Sequence, residues 1–310
     1  MNIKKQLPVL MTILIVTGMV AAACRLDNKE IIFPEIAAIA VGGLVAPKLA
    51  WNTDKKRILL FITICAVLGV GIVKYFPGPV WVQMVFAYLL SQLIYLCSGT
   101  TFAPMISAMV LPVMLQTKTV IYILSAVFFT TLILFFRFLL EQIDDSVTVP
   151  CIKGCPPDSS DLFSVLTRTV LSAAVIFSSL ALDARFTVAP PLLVAFTEFS
   201  KSTSGARKRP VKAVLLIGAS ALIGAALRSV LCIRFSVLPL CVTAALTILA
   251  VLLLMKRMSM FIPPAGAVSI LAMLIPEHAV LWFPVQITVG AALMMSMALL
   301  FFRKKQPKDC

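Results

Sequence analysis

The sequence predicts an all-α membrane protein made of two tandem repeats, each of about six hydrophobic segments. Three observations carry that reading. Of 310 residues, 61% are hydrophobic and only 13% charged, whereas ordinary soluble domains are about 25% charged. Apolar runs close to the ~20 residues of a bilayer helix recur from end to end. The chain also reads twice: Phe102-Ala103-Pro104-Met105-Ile106-Ser107-Ala108 opens a short apolar stretch in the first half, and Phe261-Ile262-Pro263-Pro264-Ala265-Gly266-Ala267 opens one in the second. The basic clusters Lys55-Lys56-Arg57 and Arg207-Lys208-Arg209 match in the same way. An internal repeat in a membrane chain points to permeation, because two similar bundles leave a shared seam near the bilayer midplane.

Hydrophobic segments are expected at 7–24, 32–47, 58–76, 79–97, 102–117 and 119–140, then at 162–182, 187–200, 211–233, 236–255, 260–276 and 280–302. The first resembles a secretory signal, with Lys4-Lys5, an apolar core and Ala21-Ala22-Ala23-Cys24. It is read as a transmembrane helix, since its run is long for a signal and a matching segment opens the second half. In each half the second and fifth segments are short. Such proline-broken segments at corresponding places in two halves point to a transporter's binding site. They fit short tilted helices, discontinuous helices or re-entrant loops equally well. The chain thus divides into a first repeat at 1–140, a cytoplasmic linker at 141–161 rich in acid and proline, and a second repeat at 162–310.

The net charge of +14 orients the protein. With twelve segments and the N-terminus inside, most of the 27 basic residues fall at one set of segment ends, Lys55–Arg57 and Arg207–Arg209 among them. This is the positive-inside pattern. It places the chain in a bacterial inner (cytoplasmic) membrane with both termini cytoplasmic, and argues against nucleic acid as a partner. The expected partners are the lipid bilayer and a small-molecule or ion substrate, and a homo-oligomer is compatible with the pattern. Cys151 and Cys155 lack an accompanying histidine and read as ordinary loop thiols, so no metal and no cofactor is expected. There is no Walker loop, no dinucleotide fingerprint, no zinc-type histidine pair and no pair of carboxylates on one helix face, so enzymatic function is not expected.

Eight residues are candidates for the site. Pro263 and Pro264 favour an extended Ile262 and a helix start just after it, with Gly266 in a first turn too small to cover its own backbone. An uncovered helix N-terminus is an anion site in principle, while small residues equally permit close helix packing. Pro104 and Ser107 hold the matching places in the first half. Glu35, Glu198 and Arg168 are intramembrane charges, costly in lipid at about 2.5–3.5 kcal/mol or more and hence suspects for function. Interfacial placement, a Glu198–Lys201 ion pair and snorkelling are the structural readings of these three, and Arg228 is expected to snorkel.

The stretch from Pro190 to Glu277 resembles the HPP family of small integral membrane proteins. The resemblance rests on Pro263-Pro264-Ala265-Gly266-Ala267, on Lys256-Arg257 before it, and on the small-residue helix from Gly218 to Ala226 upstream. The histidine of the family's His-Pro-Pro motif is Ile262 here. The resemblance implies a polytopic bundle, and some members have been associated with nitrite transport. Together these readings favour a secondary transporter or channel for a small solute, an anion among the candidates, with its pathway at the repeat interface. The rival reading is a non-transporting membrane subunit or assembly factor.

Overall fold

The computed structural model describes residues 3–46, 50–143 and 159–302. Among these residues every regular element is helical. In the first half, α1 (Ile3–Arg25) is followed by α2 (Glu35–Ala40), α3 (Lys55–Tyr75), α4 (Val80–Ser98), α5 (Pro104–Leu115) and α6 (Val120–Ile143). The second half runs α7 (Ser159–Ala181), α8 (Pro190–Phe199), α9 (Pro210–Leu227), α10 (Leu240–Arg257), α11 (Pro263–Leu274), the single turn α12 (Glu277–Val280) and α13 (Phe283–Phe301). Eight stretches, in α1, α3, α4, α6, α7, α9, α10 and α13, are long and apolar enough to cross a bilayer. This is the architecture of a multi-pass membrane protein.

Proline sets the helix starts, because a missing N–H costs nothing in a first turn. Pro104, Pro190, Pro210 and Pro263-Pro264 all occupy first-turn positions, and Ile262 is extended as expected, at φ −119° and ψ 102°. α4 ends on Gly99 in the left-handed region, at φ 60°, and α5 ends on Gln116 at φ 56°. Two boundaries differ from expectation. The segment expected at 32–47 becomes helical only at Glu35, with the six residues of α2 and a π turn at Val41–Val45, and a 3₁₀ turn at Lys29–Ile31 precedes it. Helices α6 and α7 also extend into the expected linker at both ends. Cys151 and Cys155 lie outside the described residues.

Burial runs opposite to that of a water-soluble bundle. The short helices are the core: every residue of α2 and α11 is buried, and so is all of α5 except Leu115. The long helices ring them and turn large apolar side chains outward, such as Leu124, Phe128, Leu215 and Leu253. An outer surface of that kind is at equilibrium against hydrocarbon. α3 packs on α5 and α6, and α9 packs on α11 and α13. α1 lies against α10 and α7 against α4, while α2 meets α11 and α8 meets α5.

Two glycines let the long helices touch the core. A Cβ on Gly69 would lie 2.5 Å from the Met109 carbonyl oxygen of α5, and one on Gly224 would lie 2.4 Å from the Ser269 oxygen of α11. Such small-residue contacts drive helix association where burial from water no longer does. Polar side chains satisfy backbone carbonyls that lack a helical partner, as at Ala108, where Pro112 four residues on has no N–H to give. Tyr122 donates to the Ala108 carbonyl at 3.0 Å, and Ser125 to that of Ile31 at 2.5 Å. Arg228 does not snorkel. It is buried, and one guanidinium nitrogen donates to the carbonyls of Ala272 and Ile275 at 2.5 and 2.6 Å, closing the C-terminus of α11.

Candidate functional site

Helices α5 and α11 have 12 residues each, so each is about 18 Å long against the ~30 Å hydrocarbon core of a bilayer. The missing length is made up by two cavities. One, of about 610 Å³, lies at the N-terminal ends, where Thr101 precedes α5 and Pro263 opens α11; Trp51, Glu198 and Lys201 also line it. The other, of about 570 Å³, lies at the C-terminal ends and is lined by Leu115, Gln116, Leu274 and Ile275 among others. Both short helices therefore run parallel, from a cavity bordered by Lys201, Lys208 and Arg209 to one on the opposite side.

Glu35 sits between these two levels. It opens α2 and is only 1% exposed. One carboxylate oxygen accepts a hydrogen bond from the Ser107 hydroxyl of α5, and the other has no partner. No cation lies within 4 Å of it among the described residues. Two candidates widely separated in sequence thus meet directly, and Glu35 is buried rather than interfacial. α2 also touches α11: a Cβ on Gly266 would lie 3.2 Å from Val41 and 3.4 Å from the Ala37 oxygen. Gly266 therefore has a neighbouring helix over it. The first free amide of α11 is also occupied, since Ala265 N–H bonds to the Ile262 carbonyl. Pro104 and Pro264 are buried in the same layer.

Glu198 has a different partner from the one expected. Its carboxylate accepts from the Trp51 indole N–H at 3.2 Å, and Lys201 acts on it from beyond ion-pair distance. Trp51 is buried, stands edge-on to Phe102 at 5.2 Å, and lays its ring where a side chain on Gly42 would be. The loop is pinned by Asn52 and Thr101, each donating a backbone N–H to the other residue. A tryptophan of the first half and a glutamate of the second thereby close one wall of the 610 Å³ cavity.

Arg168 stands apart from that seam, on α7. It is buried, and its charge acts on the Tyr88 hydroxyl, beside which lie Ser172, Gln92 and Thr197. Tyr88 and Gln92 reach the Thr197 hydroxyl at 3.3 and 2.6 Å, linking α4 to α8. The sequence reading missed Trp51, Tyr88, Gln92 and Tyr95. The signal for the last three was present: Tyr88, Gln92 and Tyr95 recur at helical spacing on one side of α4, facing the Arg168–Ser172 pair one turn apart on α7.

No family model, curated protein or solved structure matches this chain.

Proposed function

We propose that the chain is a secondary transporter or channel for a small solute, built from two tandem repeats, with its pathway along the seam between α5 and α11. The observation that carries the proposal is the pair of cavities at opposite ends of two short, parallel, fully packed helices. Together they reduce the barrier between the two sides to a thin layer, and that layer contains Glu35 and Ser107. A carboxylate with one unpaired oxygen can receive a proton, a cation or a donor group of a solute.

The duplication is supported by the pairing of elements. Exchanging α1 with α7, α2 with α8, α3 with α9, α4 with α10, α5 with α11 and α6 with α13 carries most of the helix pairings onto one another, the packing of α1 on α2 and α6 excepted. Gly69 on Met109 and Gly224 on Ser269 fit the same exchange. Even-numbered halves inserted alike place both basic clusters in the cytoplasm, so the 610 Å³ cavity is the cytoplasmic one. Kinship with the HPP family fits the double-proline start of α11 and remains part of the proposal.

Flux through proteoliposomes, with a panel of small anions and organic acids, tests the reading. Uptake of at least one solute is expected. No uptake of any, together with a stable co-purifying protein, returns the function to a non-transporting subunit.

A further inference from the structure

A cavity of about 780 Å³ lies outside the α5–α11 seam, between the C-terminal end of α4, the first half of α7, the Ser200–Thr203 turn and the end of α13. Arg168 lines it and is 7% exposed. No carboxylate lies within 4 Å of the guanidinium among the described residues, and its Nε has no hydrogen-bond partner. Three more buried polar atoms nearby lack partners: Tyr95 Oη, Gln92 Oε1 and Ser172 Oγ, the last approaching the Tyr88 hydroxyl without reaching hydrogen-bond geometry. Among the described residues, Arg168 Nε and these three atoms make up half of the eight buried polar side-chain atoms without a partner. Lys201 adds a second cation, its Nζ 4.9 Å above the Tyr95 ring at the cavity wall.

A buried cation without a counter-ion is strongly unfavourable unless an anion completes it. From these observations we infer that the Arg168 pocket binds an amphiphilic monoanion, a carboxylate or phosphate group carried on an apolar body. The guanidinium fork matches either group in bidentate fashion, and Tyr95 stands beside it on the lining. Lys201 also acts on Glu198 of the neighbouring cavity, which leaves Arg168 as the buried cation that one negative charge would balance. The volume falls in the range of small-molecule sites, about 300–1,000 Å³, and far exceeds an inorganic oxyanion. Apolar Leu96, Phe163, Phe301 and Phe302 share the remaining walls with three serines and two threonines. Phe163 and Phe301 are exposed on the outside of the bundle, so the mouth borders lipid as well as water. A soluble organic acid and an anionic lipid of that leaflet can both present the required group. Lys201 and Thr203 line this cavity and the neighbouring seam cavity alike. The pocket is therefore placed to feed the pathway, a role that rests on the transport reading, whereas binding itself does not.

Thermal stability of the purified full chain in neutral detergent tests the site. One arm adds octanoate, with octan-1-ol as the uncharged control. A second adds phosphatidylglycerol, with phosphatidylcholine as the neutral control, and a third adds inorganic phosphate. A saturable rise with octanoate or phosphatidylglycerol beyond its control is expected, and the responding arm identifies the source. Arg168→Gln should weaken that response about tenfold or more, with Arg168→Lys retaining part of it. Should Arg168→Gln fail to fold, Lys201→Gln at the cavity wall must still weaken the response severalfold. The inference is overturned if neither anion exceeds its control, if the variants respond as the parent does, or if inorganic phosphate reproduces the whole effect. Binding without flux would defeat the transport reading alone; flux without binding would defeat this site alone.

Discussion

The Trp51–Glu198 bond makes the sharpest prediction about how the 610 Å³ cavity closes. It joins two halves across 147 residues at 3.2 Å, with the indole donating to a carboxylate. Hydrogen bonds to charged groups contribute about 1.5–3 kcal/mol, and each 1.4 kcal/mol is a factor of ten in population. Trp51→Phe preserves an aromatic ring against Phe102 but removes the donor. It should therefore raise the population of an opened cavity about tenfold to a hundredfold. Glu198→Gln keeps the shape and a neutral acceptor, so it should raise it less. The assay is maleimide modification of a single cysteine at Ile262, which lines this cavity and is buried. In a Cys-less background the rate should follow Trp51→Phe, then Glu198→Gln, then parent. Equal rates in all three would refute the bond as a closing element. A rise in Trp51→Phe alone would assign the effect to lost ring bulk over Gly42.

Two further variants test the packing. Gly224→Ala and Gly69→Ala place a methyl 2.4–2.5 Å from a backbone oxygen, and overpacking of this kind costs about 1–3 kcal/mol. At about 2–4 °C per kcal/mol for domains of 150–250 residues, each should lower the melting temperature in detergent by several degrees, while Gly71→Ala, with nothing within 4 Å, should leave it unchanged. Arg228→Gln deprives two carbonyls at the end of α11 of their donor. A loss of about 1.5–3 kcal/mol is expected, seen as faster unfolding of the purified protein, and wild-type stability would show the cap to be dispensable.

The eight long helices were legible because a span near 20 residues is a composition signal that needs no tertiary information. The start of α11 was legible for a local reason, the two prolines in its first turn; Pro190 and Pro210 carry the same signal for α8 and α9, which the sequence reading did not use. What escaped depended on contacts between distant residues. The second segment reads as short and proline-broken, but that Pro34 leaves Glu35 buried at the head of a six-residue helix needed the fold. Glu35 and Ser107 were each singled out, one as an intramembrane acid and one by its place in the repeat, yet only the crossing of α2 and α5 joins them. Arg228 looked like a snorkelling residue near a helix end; whether such a side chain turns out or in depends on the open carbonyls of α11. Trp51 gave no signal, because tryptophan in an apolar chain is unremarkable until its N–H finds Glu198.

The central claim, a permeation path through the layer holding Glu35 and Ser107, is tested most directly by solute uptake into proteoliposomes containing the parent chain or Glu35→Gln. The substitution keeps the shape and the Ser107 contact while removing the charge. The account predicts that the parent takes up at least one small solute and that Glu35→Gln, folded and equally abundant, loses that uptake by tenfold or more. Undiminished uptake by Glu35→Gln would contradict it.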